Sequence, residues 1–172
     1  MARFFLLLLV ISSGGCATAE RMANLESFGY PGGGVYLSSS GSQCGLVLSG
    51  QINEKTQEAM ENAVKRLGSR KCDEVIVLLD SQGGRVGSAL RLGRYIRSRG
   101  FTTENNSGQT CSSSCGLVFV GGKVRVLNGK TVLNRGGKEL GVHQPSKSTT
   151  KKCVPQNAPV VNAIRNYLRE ML

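Results

Sequence analysis

Between Glu74 and Arg97 the chain reads EVIVLLD, then SQGG, then RVGSALRLGRYIR. A continuous apolar run, a glycine pair and an amphipathic stretch follow one another with nothing between them. The run suits a strand covered on both faces in a parallel sheet. Ala89, Leu90, Gly93 and Ile96 then fall on one face of a helix whose arginines point outward. The same unit occurs just upstream. CGLVLSGQI (44–52) reads as a buried strand ending at Gly50, and NEKTQEAMENAVKRL carries Met60, Ala63, Val64 and Leu67 on one helical face and a Glu61–Lys65 pair on the other. Strand–helix–strand–helix order implies an α/β fold with a mainly parallel sheet and right-handed crossovers.

Downstream, FTTENN (101–106) reads as a third strand and SSCGLVFVGG as a short buried helix. TVLNRGGKELGVHQP holds two short strands or one hairpin. APVVNAIRNYLREML spaces Val160, Val161, Ile164, Tyr167, Leu168 and Met171 as a helix does, with Pro159 at its start. Residues 20–43, rich in Gly and Ser, read as a flexible lead-in. At 172 residues the chain is long enough for one domain, here 44–172. With 40% hydrophobic and 5% aromatic residues and no Trp, the core must be mostly Val, Leu, Ile and Ala, and the composition argues against disorder.

The first 19 residues stand apart. Arg3 precedes the apolar run Phe4 to Ile11, and small residues then lead to an A-x-A site with cleavage expected after Ala19. The run is far short of the roughly 20 apolar residues a membrane span needs, so residues 1–19 read as a signal peptide and export of the protein is expected. Cys16, in SSGGC, is a rival processing site whose lipidation would anchor the chain to a membrane. Loss of Arg3, the one charged residue in 1–19, lowers the net charge from +11 to +10. The remaining cations are spread out with no interleaved aromatics, so they read as a solvated basic face, and no nucleic-acid partner is expected. Export leaves Cys44, Cys72, Cys111, Cys115 and Cys153, enough for two disulfides and one thiol left over. Cys44 and Cys72 each lead into a strand and could meet at one sheet edge, while Cys153 could reach Cys111 or Cys115. There is no C-x-x-C pair and only one histidine, so no metal site is expected.

Two glycine-containing breaks, DSQGGRV and GQTCSSSCG, follow buried strands and so lie where α/β sites form. A serine there, at the head of a helix, could serve as a nucleophile beside free N–H groups at Gly83, Gly84 and just after the serine. It would need a base, and the only histidine is His143, in GVHQP.

Taken together, LSGQINEKT, LLDSQGGRVGSALRLGRYIRS, GQTCSSSCGLVFVGG and GVHQP resemble the ClpP family of serine peptidases. The likeness covers residues 44 to 170 and is nearest to exported or membrane-associated members whose nucleophile segment reads C-A-S-A-C. It implies a ClpP/crotonase-like fold of stacked strand–strand–helix units. It also chooses among the serines: Ser113 sits centrally between two cysteines and nine residues before Gly122. The Ser114 N–H would share an oxyanion hole with that of Gly84 or Gly83, and His143 would be the general base. No cofactor is implied, and the expected partners are peptides or unfolded protein, cleaved without ATP. Members assemble into rings, which points to a homo-oligomer.

Three departures stand out. Asp80 and Gln82 replace the family's usual Asn and Pro, and the interval from Ser113 to His143 carries an insertion. The family's aspartate also has no counterpart, since Glu170 is the only acid after His143. Either the chain is truncated at Leu172, or an amide such as Asn157 or Asn162 orients His143, with Asp80 a remote third candidate, or the site is weak. The sequence therefore supports an exported serine peptidase, with a non-catalytic binding or assembly module as the alternative. A crotonase-type acyl-thioester enzyme would leave Ser113 and His143 unexplained. A Ser–Lys dyad would draw on Lys123, Lys130 or Lys138.

Overall fold

Seven strands pair in chain order, each bonded to its neighbours in sequence. They are β1 (Ser27–Tyr30), β2 (Gly33–Ser40), β3 (Gln43–Gly50), β4 (Glu74–Asp80), β5 (Thr102–Asn105), β6 (Val124–Leu127) and β7 (Lys130–Thr131). The helices are α1 (Thr56–Leu67), α2 (Val86–Ser98), α3 (Cys115–Gly121) and α4 (Pro159–Met171). The computed structural model describes residues 25–40, 43–68, 72–128, 130–131 and 153–172. Residues 1–19 with Cys16, and 132–152 with Lys138 and His143, lie outside the described residues. β3 to β6 run parallel, while β1–β2–β3 and β6–β7 are antiparallel. Among the described residues no helix is long and apolar enough to cross a membrane.

Residues 27–40, expected within the flexible lead-in, instead form a hairpin. Pro31 and Gly32 sit between the strands, with Gly32 at φ 88°, the pairing that a type II turn requires. β2 then pairs along its whole length with β3, which buries Val35 and Leu37. β6 is a second element that the sequence reading did not single out.

The apolar run of β4 conceals an alternation. Val77 and Leu79 are wholly buried, whereas Ile76 and Leu78 are half-buried. The deep row joins Cys44, Leu46 and Leu48 of β3 in one core with Met60 and Ala63 of α1 and Ala89 and Ile96 of α2. At the amino-terminal end of these two strands Cys44 is bonded to Cys72, the pairing that their positions ahead of adjacent strands suggested.

α2, α3 and α4 meet through small residues. Gly121 of α3 lies so close to Gly93 that a Cβ on it would stand 2.6 Å from the Gly93 Cα. Tyr167 of α4 fills the adjoining slot, fully buried, with its hydroxyl donating to Leu117 O at 2.7 Å. Burial pushes that phenol above its ordinary range, which keeps the donor proton in place. Arg97 closes the assembly by donating to Val120 O (2.9 Å), Gly121 O (3.0 Å) and Met171 O (2.7 Å). One guanidinium thus satisfies the terminal carbonyls of two helices.

A methyl group on Gly93 would run into the Tyr167 hydroxyl. Gly93→Ala should lower the unfolding free energy by about 1–3 kcal/mol, and Tyr167→Phe by about 1 kcal/mol through loss of the buried hydrogen bond to Leu117 O. Because both changes act on one contact, the double variant should lose less than their sum in urea denaturation; strict additivity would contradict this packing. Removing the Cys44–Cys72 bond, which spans 28 residues, by paired Cys→Ala substitution should cost about 3–4 kcal/mol on the loop-entropy scale.

Candidate active site

Past the carboxyl ends of β3, β4 and β5 the chain segments stay joined. Two single-residue parallel bridges, Ile52 with Gly84 and Ser81 with Cys111, hold the three connections side by side. Ile52 N donates to Gly83 O and Arg85 N to Ile52 O, each at 2.9 Å; Ser81 N donates to Thr110 O at 2.6 Å and Ser112 N to Ser81 O at 3.1 Å. The buried Ser81 hydroxyl ties in the third strand end by donating to Gly50 O. Ser81 was not among the sequence candidates, since a serine after a strand reads as an ordinary turn residue.

These connections surround a pocket of about 600 Å³ lined by Gly32, Gly50, Asp80, Gln82, Gly83 and Ser113, among others. The three serines of the CSSSC segment have different fates. The Ser112 hydroxyl donates to Gln82 O at 3.2 Å. Ser114 is 3% exposed, and its hydroxyl has no partner among the described residues. Ser113 alone of the three lines the pocket. It holds a left-handed backbone, φ 55°, which costs a non-glycine residue about 1–3 kcal/mol and persists only where the surroundings impose it. The surroundings include a disulfide between Cys111 and Cys115, both buried, which brackets the turn.

Gly83 touches this turn directly. A Cβ built on it would lie 2.8 Å from the Ser113 Cβ and 2.9 Å from the Ser114 N, so no side chain fits there, and its φ of 92° also favours glycine. Its own N–H donates to the Ser81 hydroxyl at 3.0 Å. That corrects one expectation: Gly83 serves by its lack of a side chain and does not offer a free donor. The N–H groups of Gly84 and Ser114 have no acceptor among the described residues. Asp80 stands at the pocket wall and accepts the Thr110 N–H at 2.9 Å.

The remaining candidates are placed elsewhere. Cys153 is an exposed free thiol rather than a partner of Cys111 or Cys115, because those two bond to each other across a four-residue separation. Lys123 lies at the start of β6, opposite the carboxyl ends where the pocket forms, with its N–H on Phe101 O. Asn162 accepts from Arg165 at 3.3 Å, and Glu170 is bound to Arg94 at 2.8 Å. The general base assigned to His143 falls on residues outside those described. Asp80, Gln82, Thr110 and the hairpin glycine Gly32 line the same pocket, a grouping that separate sequence motifs do not reveal.

No protein-family model matches the sequence, and none of the curated proteins does. Among solved structures, the membrane-bound stomatin-specific protease 1510-N, in a serine-to-alanine mutant form, superposes with a TM-score of 0.53 at 13% identity over 73% of this chain. The chain spans 59% of that structure's length. Lesser likenesses include methylmalonyl CoA decarboxylase (TM-score 0.47, 8% identity, 59% of this chain and 46% of that one). An enoyl-CoA hydratase from Mycobacterium marinum follows (TM-score 0.44, 9% identity, 53% and 49%). The parallel β3–β6 core, the crossover helices and the loops joined beyond the strand ends are together the ClpP/crotonase fold.

Proposed function

We propose that this protein is an exported ClpP-like serine peptidase that hydrolyses peptide bonds without ATP. One observation carries the reading: Ser113, alone of three adjacent serines, opens onto a glycine-lined pocket in a strained turn beside two backbone donors that have no acceptor among the described residues. The Ser113 oxygen adds to the substrate carbonyl while its proton passes to His143. The resulting oxyanion lies between the N–H groups of Ser114 and Gly84. His143 returns the proton to the leaving amine, and water then releases the acyl group by the same steps in reverse. Peptides or unfolded segments are the substrates, and a homo-oligomer is the expected assembly. Two disulfides are compatible with an extracytoplasmic setting. Export rests on the signal-like first 19 residues, with lipidation of Cys16 as the variant that would add a membrane anchor.

The alternative, a non-catalytic binding or assembly module, is favoured by one observation. Glu170 is committed to Arg94, which leaves it unable to orient a catalytic histidine, and loss of the orienting acid slows a serine hydrolase by several orders of magnitude. A fluorophosphonate probe separates the two readings. The oxidised full-length protein should be labelled, Ser113→Ala should abolish labelling, and His143→Ala should slow it by about a thousandfold or more. No labelling of the intact protein, or labelling that survives Ser113→Ala, would leave only the module.

The two disulfides should part company in the same assay. Paired Cys→Ala substitution at Cys111 and Cys115 should slow labelling by about a hundredfold, the scale on which small misplacements of a reacting group act. Removal of the Cys44–Cys72 bond, remote from the pocket, should lower stability while leaving the labelling rate within about twofold.

A further inference from the structure

The pocket beside Ser113 has an unusual lining. Its walls are Gly32, Ser49, Gly50, Gln51, Asp80, Gln82, Gly83, Gly84 and Thr110, together with Ser113 itself. None of these is an aliphatic or aromatic side chain, whereas pockets that recognise apolar groups are lined mainly by such residues. What the walls supply is backbone, amides, hydroxyls and one charge. That charge is the carboxylate of Asp80, the last residue of β4, paired in register with Ser49. One of its oxygens is fixed by the Thr110 N–H at 2.9 Å. The other has no partner among the described residues. The nearest cation in sequence, Arg85, is engaged by Glu54 at 2.8 Å and does not line the pocket. In a protein with a net charge of +11, a carboxylate in the Ser113 pocket with no ion-pair partner among the described residues is a local reversal of sign.

We infer that Asp80 is a specificity-determining residue and that the pocket takes a cationic group of the substrate, a guanidinium or alkylammonium, next to the bond under attack. The inference rests on the peptide-hydrolase reading for the nature of the ligand, and it goes beyond that reading by naming the side of chemistry the pocket selects. The geometry suits the role: the Thr110 bond holds the carboxylate in place, and the remaining oxygen can accept a charge-assisted hydrogen bond without rearrangement. Small walls of glycine and serine leave room for a long side chain to lie along the backbone, with Gln51 and Gln82 as neutral acceptors beside its stem. The cation can come from a Lys or Arg side chain or from a peptide's own α-amino group.

Binding can be measured apart from catalysis on Ser113→Ala protein, in which peptides are not turned over. Two short peptides blocked at both termini, one with a central arginine and one with citrulline in its place, differ in charge and hardly in shape. The arginine peptide should bind about tenfold more tightly by NMR titration, the scale of a hydrogen bond to a charged group. Adding Asp80→Asn, which keeps an acceptor for Thr110 and removes the charge, should bring the ratio to about one. A citrulline peptide with a free amino terminus that binds as well as the blocked arginine peptide would assign the cation to the α-amino group and uphold the inference. Equal binding of the two blocked peptides with Asp80 intact and no gain from the free terminus, an arginine preference that survives Asp80→Asn, or no measurable binding of any peptide would overturn it. Fluorophosphonate labelling of protein with Ser113 intact keeps the two readings distinct. A labelled protein without preference for the cation sinks only the Asp80 assignment, and an unlabelled protein with that preference sinks only the hydrolase.

Discussion

The site depends on how closely two stretches of backbone can approach where Gly83 meets the Ser112–Ser114 turn. Any Cβ at residue 83 would drive the turn away, and with it the Ser113 oxygen and the Ser114 N–H. The approach is held from both sides. Bridges to Ile52 and Cys111 fix the loop after β4 against its two neighbours, and the Ser81 hydroxyl accepts the Gly83 N–H while donating to Gly50 O. A loop so constrained can sustain the left-handed Ser113 backbone, because relaxing it would break bonds in three connections together.

The same economy of side chains operates at the other end of α3. Its last residues lean on α2 through Gly121 and Gly93, and α4 seals the joint with Tyr167. Arg97 gathers carbonyls from the ends of α3 and α4. Arg125 of β6 adds bonds to Val120 O and Met171 O, and burial beside Arg97 pushes its guanidinium below the ordinary range. The short helix that begins at the Ser113 turn is therefore clamped at its far end as well.

Much of this was legible from local pattern. The apolar runs of β3 and β4, the helical faces of α1 and α2, and Pro159 at the head of α4 follow from periodicity and backbone chemistry, which neighbouring residues carry by themselves. The β1–β2 hairpin was legible too, in the Pro31–Gly32 pair between SFGY and GGVYLSSS, but a Gly- and Ser-rich composition masked it. β6 and the bracketing Cys111–Cys115 bond were harder. Four residues outside a glycine break carry little pattern, and cysteine connectivity depends on which chain segments fold near one another.

The choice of Ser113 shows where the boundary falls. Sequence placed it centrally between two cysteines within a family likeness; in the structure Ser113 lines the pocket, while Ser112 is turned toward Gln82 and Ser114 is buried. The likeness to a solved protease establishes a fold and leaves the chemistry to the residues at the pocket.

By itself the sequence determined the fold class, the strand–helix alternation from β3 through α2, and the two glycine breaks, because periodicity and backbone freedom are properties of adjacent residues. Only the tertiary structure decided that Gly83 serves by its missing side chain while the Gly84 donor has no acceptor among the described residues, that Asp80 shares a pocket with Ser113, and that Tyr167 fills the slot at Gly93. Those outcomes depend on distances between segments that are remote along the chain and come together only when the core is packed.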